Sequence, residues 1–160
     1  MRVLAFDPGY ERLGIAVLEK NKGKEILLYS ECVRTAKTLS FPKRLAELGA
    51  ATETLLKKWK PDCIAIENLY FENNAKTAMN VSAVRGMLLY IAASHDLPAH
   101  EYTPLQIKVA VTGYGQANKC TVGIWTLKIL GLKSLPAGRQ GLDDELDAIA
   151  VGITCLASVR

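Results

Sequence analysis

No two of the four cysteines, Cys32, Cys63, Cys120 and Cys155, lie close enough in sequence to make a CxxC pair, so a zinc site of that type is excluded. Histidine is scarce: only His95 and His100 are present, and each reads as a surface or strand residue rather than a ligand or a base. No stretch approaches the ~20 apolar residues of a membrane span. Charge arrives at Asp7, too early for a signal peptide. Repeats and linker-like segments are missing as well. These absences leave a single domain over residues 1–160, expected to be cytoplasmic, with its thiols reduced. Hydrophobic residues make up 49% of the chain. A domain of this size buries roughly 70% of the surface its unfolded chain exposes and needs no disulfide. The net charge of +4 is mildly basic, which shifts the expectation towards nucleic acid only a little.

Apolar runs at 3–6, 13–18 and 26–33 read as strands, the first ended by the turn signal Asp7-Pro8-Gly9. In the simplest topology they form an antiparallel meander. Ser40 can cap a helix with Pro42 in its first turn, and Leu45, Leu48, Thr52, Leu55, Leu56 and Trp59 recur at helical spacing. Lys60-Pro61-Asp62 stops it, and Cys63–Ile66 is a fourth strand ending at Glu67. Residues 75–94 read as a helix and 99–102 as a short strand. Thr103-Pro104 opens a helix ending near Gly113, and Asn118 caps another that runs to about Leu130. The segment 131–141, with Pro136, Gly138 and Gly141, reads as a mobile loop before a last helix from about Asp144 to Ala157. The order predicts an α/β protein with a mixed five-stranded sheet flanked by helices.

Four acids stand out. Asp7 and Glu67 end strands, and Asp144 and Asp147 lie three apart at the start of the last helix, on one face. Taken singly, each has a plain structural role: a turn residue, a strand-end charge, or complements of a helix dipole. Taken together they suggest a site. If the first and fourth strands are neighbours, Asp7 and Glu67 sit side by side. The apolar face of the last helix, Leu146, Ile149, Ala150, Ile153 and Leu156, can pack on the sheet and aim the aspartates at them. Two carboxylates ~4 Å apart repel by about 4 kcal/mol at an effective dielectric near 20, so protons or cations must offset the charge. Oxygen donors without histidine select Mg2+ or Mn2+ over zinc. Two such ions ~3.5–4 Å apart make a phosphodiester-cleaving site. With the four acids set aside, 12 acidic residues remain against 20 basic ones, an acidic pocket in a basic surface.

The residues also resemble a known family. Val3-Leu4-Ala5-Phe6-Asp7-Pro8-Gly9 with Leu13-Gly14 is similar to the opening of RuvC resolvases, as are Arg34-Thr35 and Pro61-Asp62-Cys63-Ile64-Ala65-Ile66-Glu67. Asn74-Ala75, Ala83-Val84-Arg85-Gly86, Glu101-Tyr102-Thr103-Pro104 and Asp144-Glu145-Leu146-Asp147-Ala148-Ile149-Ala150 continue the likeness in order over almost the whole chain. The resemblance implies an RNase H-like fold, a homodimer, and paired Mg2+-dependent cuts in four-way (Holliday) DNA junctions during recombination and repair. It implies that Asp7, Glu67, Asp144 and Asp147 are the catalytic metal ligands, that Lys108 and Lys119 contact the junction, and that Tyr70 is the aromatic residue beyond the second acid. It also suggests a branch-migration helicase as partner.

Some positions depart from the family pattern. Tyr70 stands where Phe is familiar and Phe71 follows, so either ring can stack on an unpaired base. Asp143 adds a third aspartate beside the pair, and residues 134–141 do not follow the pattern. Asn74 is a candidate DNA-backbone contact, and Arg85 either touches DNA or serves as an ion-pair partner. The helix from about Asn74 to Ser94 is the candidate dimer surface; the alternative is that its apolar residues all face their own sheet. Three other readings compete. One is an RNase H-like nuclease for another branched or hybrid substrate. An actin-like ATPase predicts a larger two-lobed chain with further phosphate-binding Gly motifs. A binding module without catalysis predicts the loss of an acid.

Overall fold

The computed structural model describes residues 1–68, 75–135 and 142–159. Its elements are β1 (Arg2–Asp7), β2 (Arg12–Asn21), β3 (Lys24–Arg34), α1 (Phe41–Trp59), β4 (Cys63–Glu67), α2 (Ala75–Ser94), β5 (Ala99–Tyr102), α3 (Pro104–Thr112), α4 (Lys119–Ile129) and α5 (Leu142–Ser158). The sheet order is β3-β2-β1-β4-β5. β1, β2 and β3 form the expected antiparallel meander, and β4 and β5 add to it in parallel. The Lys22-Gly23 turn takes φ of 49° and 81°, the two positive values that a tight hairpin turn between twisted strands requires. Pairing therefore runs out to Asn21 and Lys24, and β2 and β3 are longer than their apolar runs predict.

Both faces of the sheet are covered, which explains why β1 and β4 are nearly continuous apolar runs rather than alternating ones. Leu4, Phe6, Ile15, Ile64 and Ile66 meet Leu48 and Leu55 of α1 and Val84 and Leu88 of α2. Val3, Ala5, Ala16 and Ala65 meet Ile149, Ile153 and Leu156 of α5. The small residues on this second face let α5 lie close to the strands. A Cβ on Gly152 would come within 2.4 Å of the Leu18 side chain and 3.3 Å of Ala5.

The helix ends follow local chemistry. Thr103 and Gln106 form a reciprocal capping box with Pro104 in the first turn of α3, and Gly113 ends that helix in the left-handed region. Asn118 accepts a hydrogen bond from the Thr121 amide at 2.9 Å and starts α4 at Lys119. Ser40 occupies the cap position of α1, but its side chain makes no capping bond. In α2, Val84, Leu88, Ile91 and Ala92 are buried in the protein's own core, while Met79 and Tyr90 are 73% and 72% exposed. Part of the apolar surface of the helix therefore faces the protein's own core and part faces solvent. Among the described residues, no helix is long and apolar enough to cross a membrane. The expected mobile loop falls partly on 136–141, outside the described residues.

Candidate active site

Phe6 and Ile66 are direct partners across the parallel β1/β4 pair, so Asp7 and Glu67, one residue further on, leave the same edge of the sheet. The first turn of α5 crosses this edge. Its close approach depends on Gly14 of β2, the strand partner of Asp7. A Cβ at position 14 would lie 2.1 Å from the Asp144 carbonyl oxygen and 3.2 Å from the Asp7 Cβ. The glycine gap is where Asp144 passes over Asp7.

The four acids share one electrostatic environment. Asp7 is pushed up to about 8, first by burial and then by the charges of Glu67, Asp147 and Asp144, with Lys119 opposing. Glu67 is pushed up to about 7 by burial and by Asp147, against Lys119 and Lys108. Burial also raises Asp147, while a hydrogen bond and the charge from Lys119 pull it down and Asp144 and Asp143 push it further up. Desolvation and repulsion favour protons on Asp7, Glu67 and Asp147.

Some positive charge is built in. Lys119 Nζ lies 2.7 Å from Asp147 Oδ2. Burial alone would lower this lysine; the Asp147 hydrogen bond and the charges of Asp147, Asp143 and Asp7 outweigh that and raise it. Lys108 and Lys119 line a cavity of about 230 Å³ with Glu67 and Asp147. On the far side of the cluster, Asp7, Asp144, Arg12 and Thr77 line a second cavity of about 340 Å³. Here Arg12 Nε is 3.5 Å from Asp144 Oδ2, and the Cys32 thiol donates to the same oxygen at 3.5 Å. Burial, then Asp144, pushes Cys32 up to about 11, so it stays a thiol.

With Asp147 held on Lys119 and Asp144 beside Arg12 and Cys32, no three His, Cys, Asp or Glu side chains among the described residues converge closely enough to hold one ion. The donor set nonetheless suits a hard divalent cation: carboxylate oxygens only, with Asp7 and Glu67 destabilised as anions.

Of the other candidates, Arg85 pairs through both its Nε and its terminal nitrogen with Glu101, matching the ion-pair alternative. Tyr70, Phe71 and Asn74 lie outside the described residues. His95 pairs with Glu53 at 2.9 Å and His100 lies in β5, away from the acids in role. Arg12, Cys32 and the reason for Gly14 were not visible in the sequence. Their partners on α5 are more than a hundred residues away, and no local period signals such contacts.

A five-stranded mixed sheet in this order, with acids leaving the adjacent ends of β1 and β4 and a last helix carrying two more, defines an RNase H-like fold. A family model described as "Crossover junction endodeoxyribonuclease RuvC" matches residues 3–155, and the chain belongs to that family. It is 39% identical over 160 residues to the crossover junction endodeoxyribonuclease RuvC of Syntrophomonas wolfei subsp. wolfei, covering 100% of this chain and 91% of that one. The corresponding protein of Desulforamulus reducens is 41% identical over 155 residues, covering 96% and 91%. Among solved structures, T. thermophilus RuvC in complex with a Holliday junction substrate superposes with a TM-score of 0.85 at 27% identity, covering 98% of this chain and 94% of that one. Family membership implies use of a divalent metal ion.

Proposed function

We propose that this chain resolves four-way (Holliday) DNA junctions by paired symmetric nicks, acting in the cytoplasm as a single RNase H-like nuclease domain. The observation that carries the reading is the electrostatically linked set Asp7, Glu67, Asp144 and Asp147 at one edge of the sheet, in a chain of this family. We assign Mg2+ to the site, two ions with Mn2+ as a substitute, because the donors are all carboxylate oxygens. Bound there, divalent ions supply the positive charge that activates an attacking water and stabilises the leaving 3′-oxygen of a phosphodiester.

The residues of the chain supply the rest. Asp7 and Glu67 would give up their protons to bound cations, because burial first and the neighbouring carboxylates second are what hold those protons in the folded site. Lys119 and Lys108 present ammonium groups to the oxygens of the phosphate being cut, from the wall of the first cavity. Tyr70 or Phe71 stacks on an unpaired base, and Asn74 contacts the backbone. Arg85, engaged with Glu101, positions α2 rather than DNA. Two cuts in a two-fold substrate call for a C2 homodimer, with the exposed Met79 and Tyr90 of α2 as candidate interface residues. A branch-migration helicase is the proposed delivery partner.

The test is cleavage of a synthetic four-way junction with varied sequences at a mobile crossover. A linear duplex of the same sequence is run beside it, with Mg2+, Mn2+ or EDTA. Paired nicks in the junction alone, lost with EDTA, are expected. An intact junction beside a cut hybrid or flapped substrate would overturn the substrate and leave the chemistry.

A further inference from the structure

The cavity beside Glu67 and Asp147 is lined by lysines, and the cavity beside Asp7 and Asp144 is not. The second, lined by Asp7, Asp144, Thr77 and Arg12, has arginines beside it instead. Arg12 and Arg34 are direct partners across the antiparallel β2/β3 pair. Alternation along the two strands puts both on the sheet face that carries α5. Gly14 and Cys32 are the next pair on that face, and each meets Asp144. Arg34 is exposed. Like charges directly opposite in a sheet destabilise it. Asp144 offsets this at Arg12, 3.5 Å away, whereas the side chain of Arg34 meets the Cys32 thiol.

We propose that Arg12 and Arg34 form a second phosphate clamp, gripping the backbone of the cleaved strand on the Asp144 side of the acids. Two guanidinium groups held side by side by strand register present forked donors that match phosphate oxygens. A phosphodiester between them would relieve their repulsion. A strand running from the lysine-lined cavity across Asp7 to the arginine-lined one then meets cations before and after the scissile phosphate. That fixes the scissile phosphate along the strand, which a single basic patch cannot do. Arg12 has a further part in this arrangement: its contact with Asp144 couples strand binding to the position of a metal-binding acid.

The inference rests on the proposed junction-cleaving role, and the test separates the two. Affinity for a four-way junction and for a linear duplex is measured without divalent ions from 50 to 200 mM salt, for wild type, Arg34→Ala, Arg34→Lys and Arg12→Ala. Thermal unfolding confirms that each variant is folded. Each lost phosphate contact should lower the slope of log K against log salt by ~0.9. The salt-induced loss of affinity over that range then shrinks about 3- to 4-fold for Arg34→Ala, and Arg34→Lys should restore most of the slope because it keeps the charge. Wild-type slopes in folded Arg34→Ala and Arg12→Ala, on whichever DNA the wild type binds, would overturn the clamp. Absence of junction preference and of nicking in the wild type would overturn the functional reading instead, while the slopes on duplex DNA still decide the clamp.

Discussion

Replacing Asp7 by Asn should stabilise the metal-free protein while abolishing its cleavage. The carboxyl is buried among three other acids and is pushed up to about 8. Folding therefore holds a proton on Asp7 at neutral pH that the unfolded chain releases. At pH 7.5 this costs at most about 5 kcal/mol, at ~1.36 kcal/mol per pH unit. The cost is shared with Glu67 and Asp147, so a gain of about 1–3 kcal/mol is expected for Asn, which is neutral and of the same shape. For a chain of this length that is a rise of about 3–10 °C in Tm. The sign fixes a pH signature. A carboxyl raised in the folded state makes stability fall as pH climbs from its unfolded value near 4 to its folded value near 8. The advantage of Asn should thus be small at pH 5 and largest at pH 8 in EDTA. Thermal unfolding of the two proteins at both pH values decides it. A variant no more stable at pH 8 than wild type, or equally stabilised at both pH values, would refute the electrostatic account. Normal cleavage by the folded variant would remove Asp7 from the metal-binding set.

Mg2+ should raise the Tm of the wild type more at pH 8 than at pH 5, because binding to the folded state alone stabilises by RT ln(1 + [L]/Kd) and protons compete at the lower pH; equal shifts would contradict this. Gly14→Ala should lose cleavage out of proportion to a destabilisation of about 1–3 kcal/mol, since the new methyl meets the Asp144 carbonyl; full activity in that variant would mean that the placement of Asp144 is not critical. Glu145→Ala should cost about 2–4 kcal/mol in denaturant unfolding, because Glu145 is buried and accepts a hydrogen bond from Ser30 at 2.7 Å; a change within 0.5 kcal/mol, the ordinary range of surface substitutions, would deny it an anchoring role. Asn118→Ala should cost about 1 kcal/mol and weaken junction binding by loosening the turn that carries Lys119; unaltered stability would show the cap bond to be unimportant.

Most of the fold was legible because its signals are local. Strand runs, the Thr103-Pro104 and Asn118 caps and the i, i+3 spacing of Asp144 and Asp147 all lie within a few residues of what they determine. The meander followed from strand order, while the nearness of Asp7 to Glu67 hung on the first and fourth strands being neighbours, and the register shows both. Ser40 shows the limit of such signals: the residue type suits a cap, and the backbone adopts the cap conformation, yet the bond is absent. The ion-pair partner of Arg85 is Glu101, sixteen residues on in another element, and no local signal names it. Arg12 was passed over because a lone arginine at a strand start has no local mark. Only the crossing of α5 over Gly14 gives it a partner.

The run Asp143-Asp144-Glu145 concentrates this difficulty. In sequence it is three adjacent acids, all well placed for the N-terminal end of a helix dipole, and only the three-residue spacing to Asp147 marks out Asp144. Packing assigns each a separate task. Asp143 is exposed, where its charge acts on Lys119. Asp144 faces Asp7, Arg12 and Cys32. Glu145 is only 1% exposed and is tied to Ser30 in the middle of β3. A helical turn rotates successive residues by about 100°, so burying Glu145 against the sheet sets the rotation of the whole turn. Asp147, two residues further on, then points across the opposite side to Lys119. The small residues Ala5, Ala16, Gly14 and Gly152 fix how close α5 lies, and Glu145 fixes how it is turned. Both act through the packing of the helix, and together they determine where two of the four acids stand.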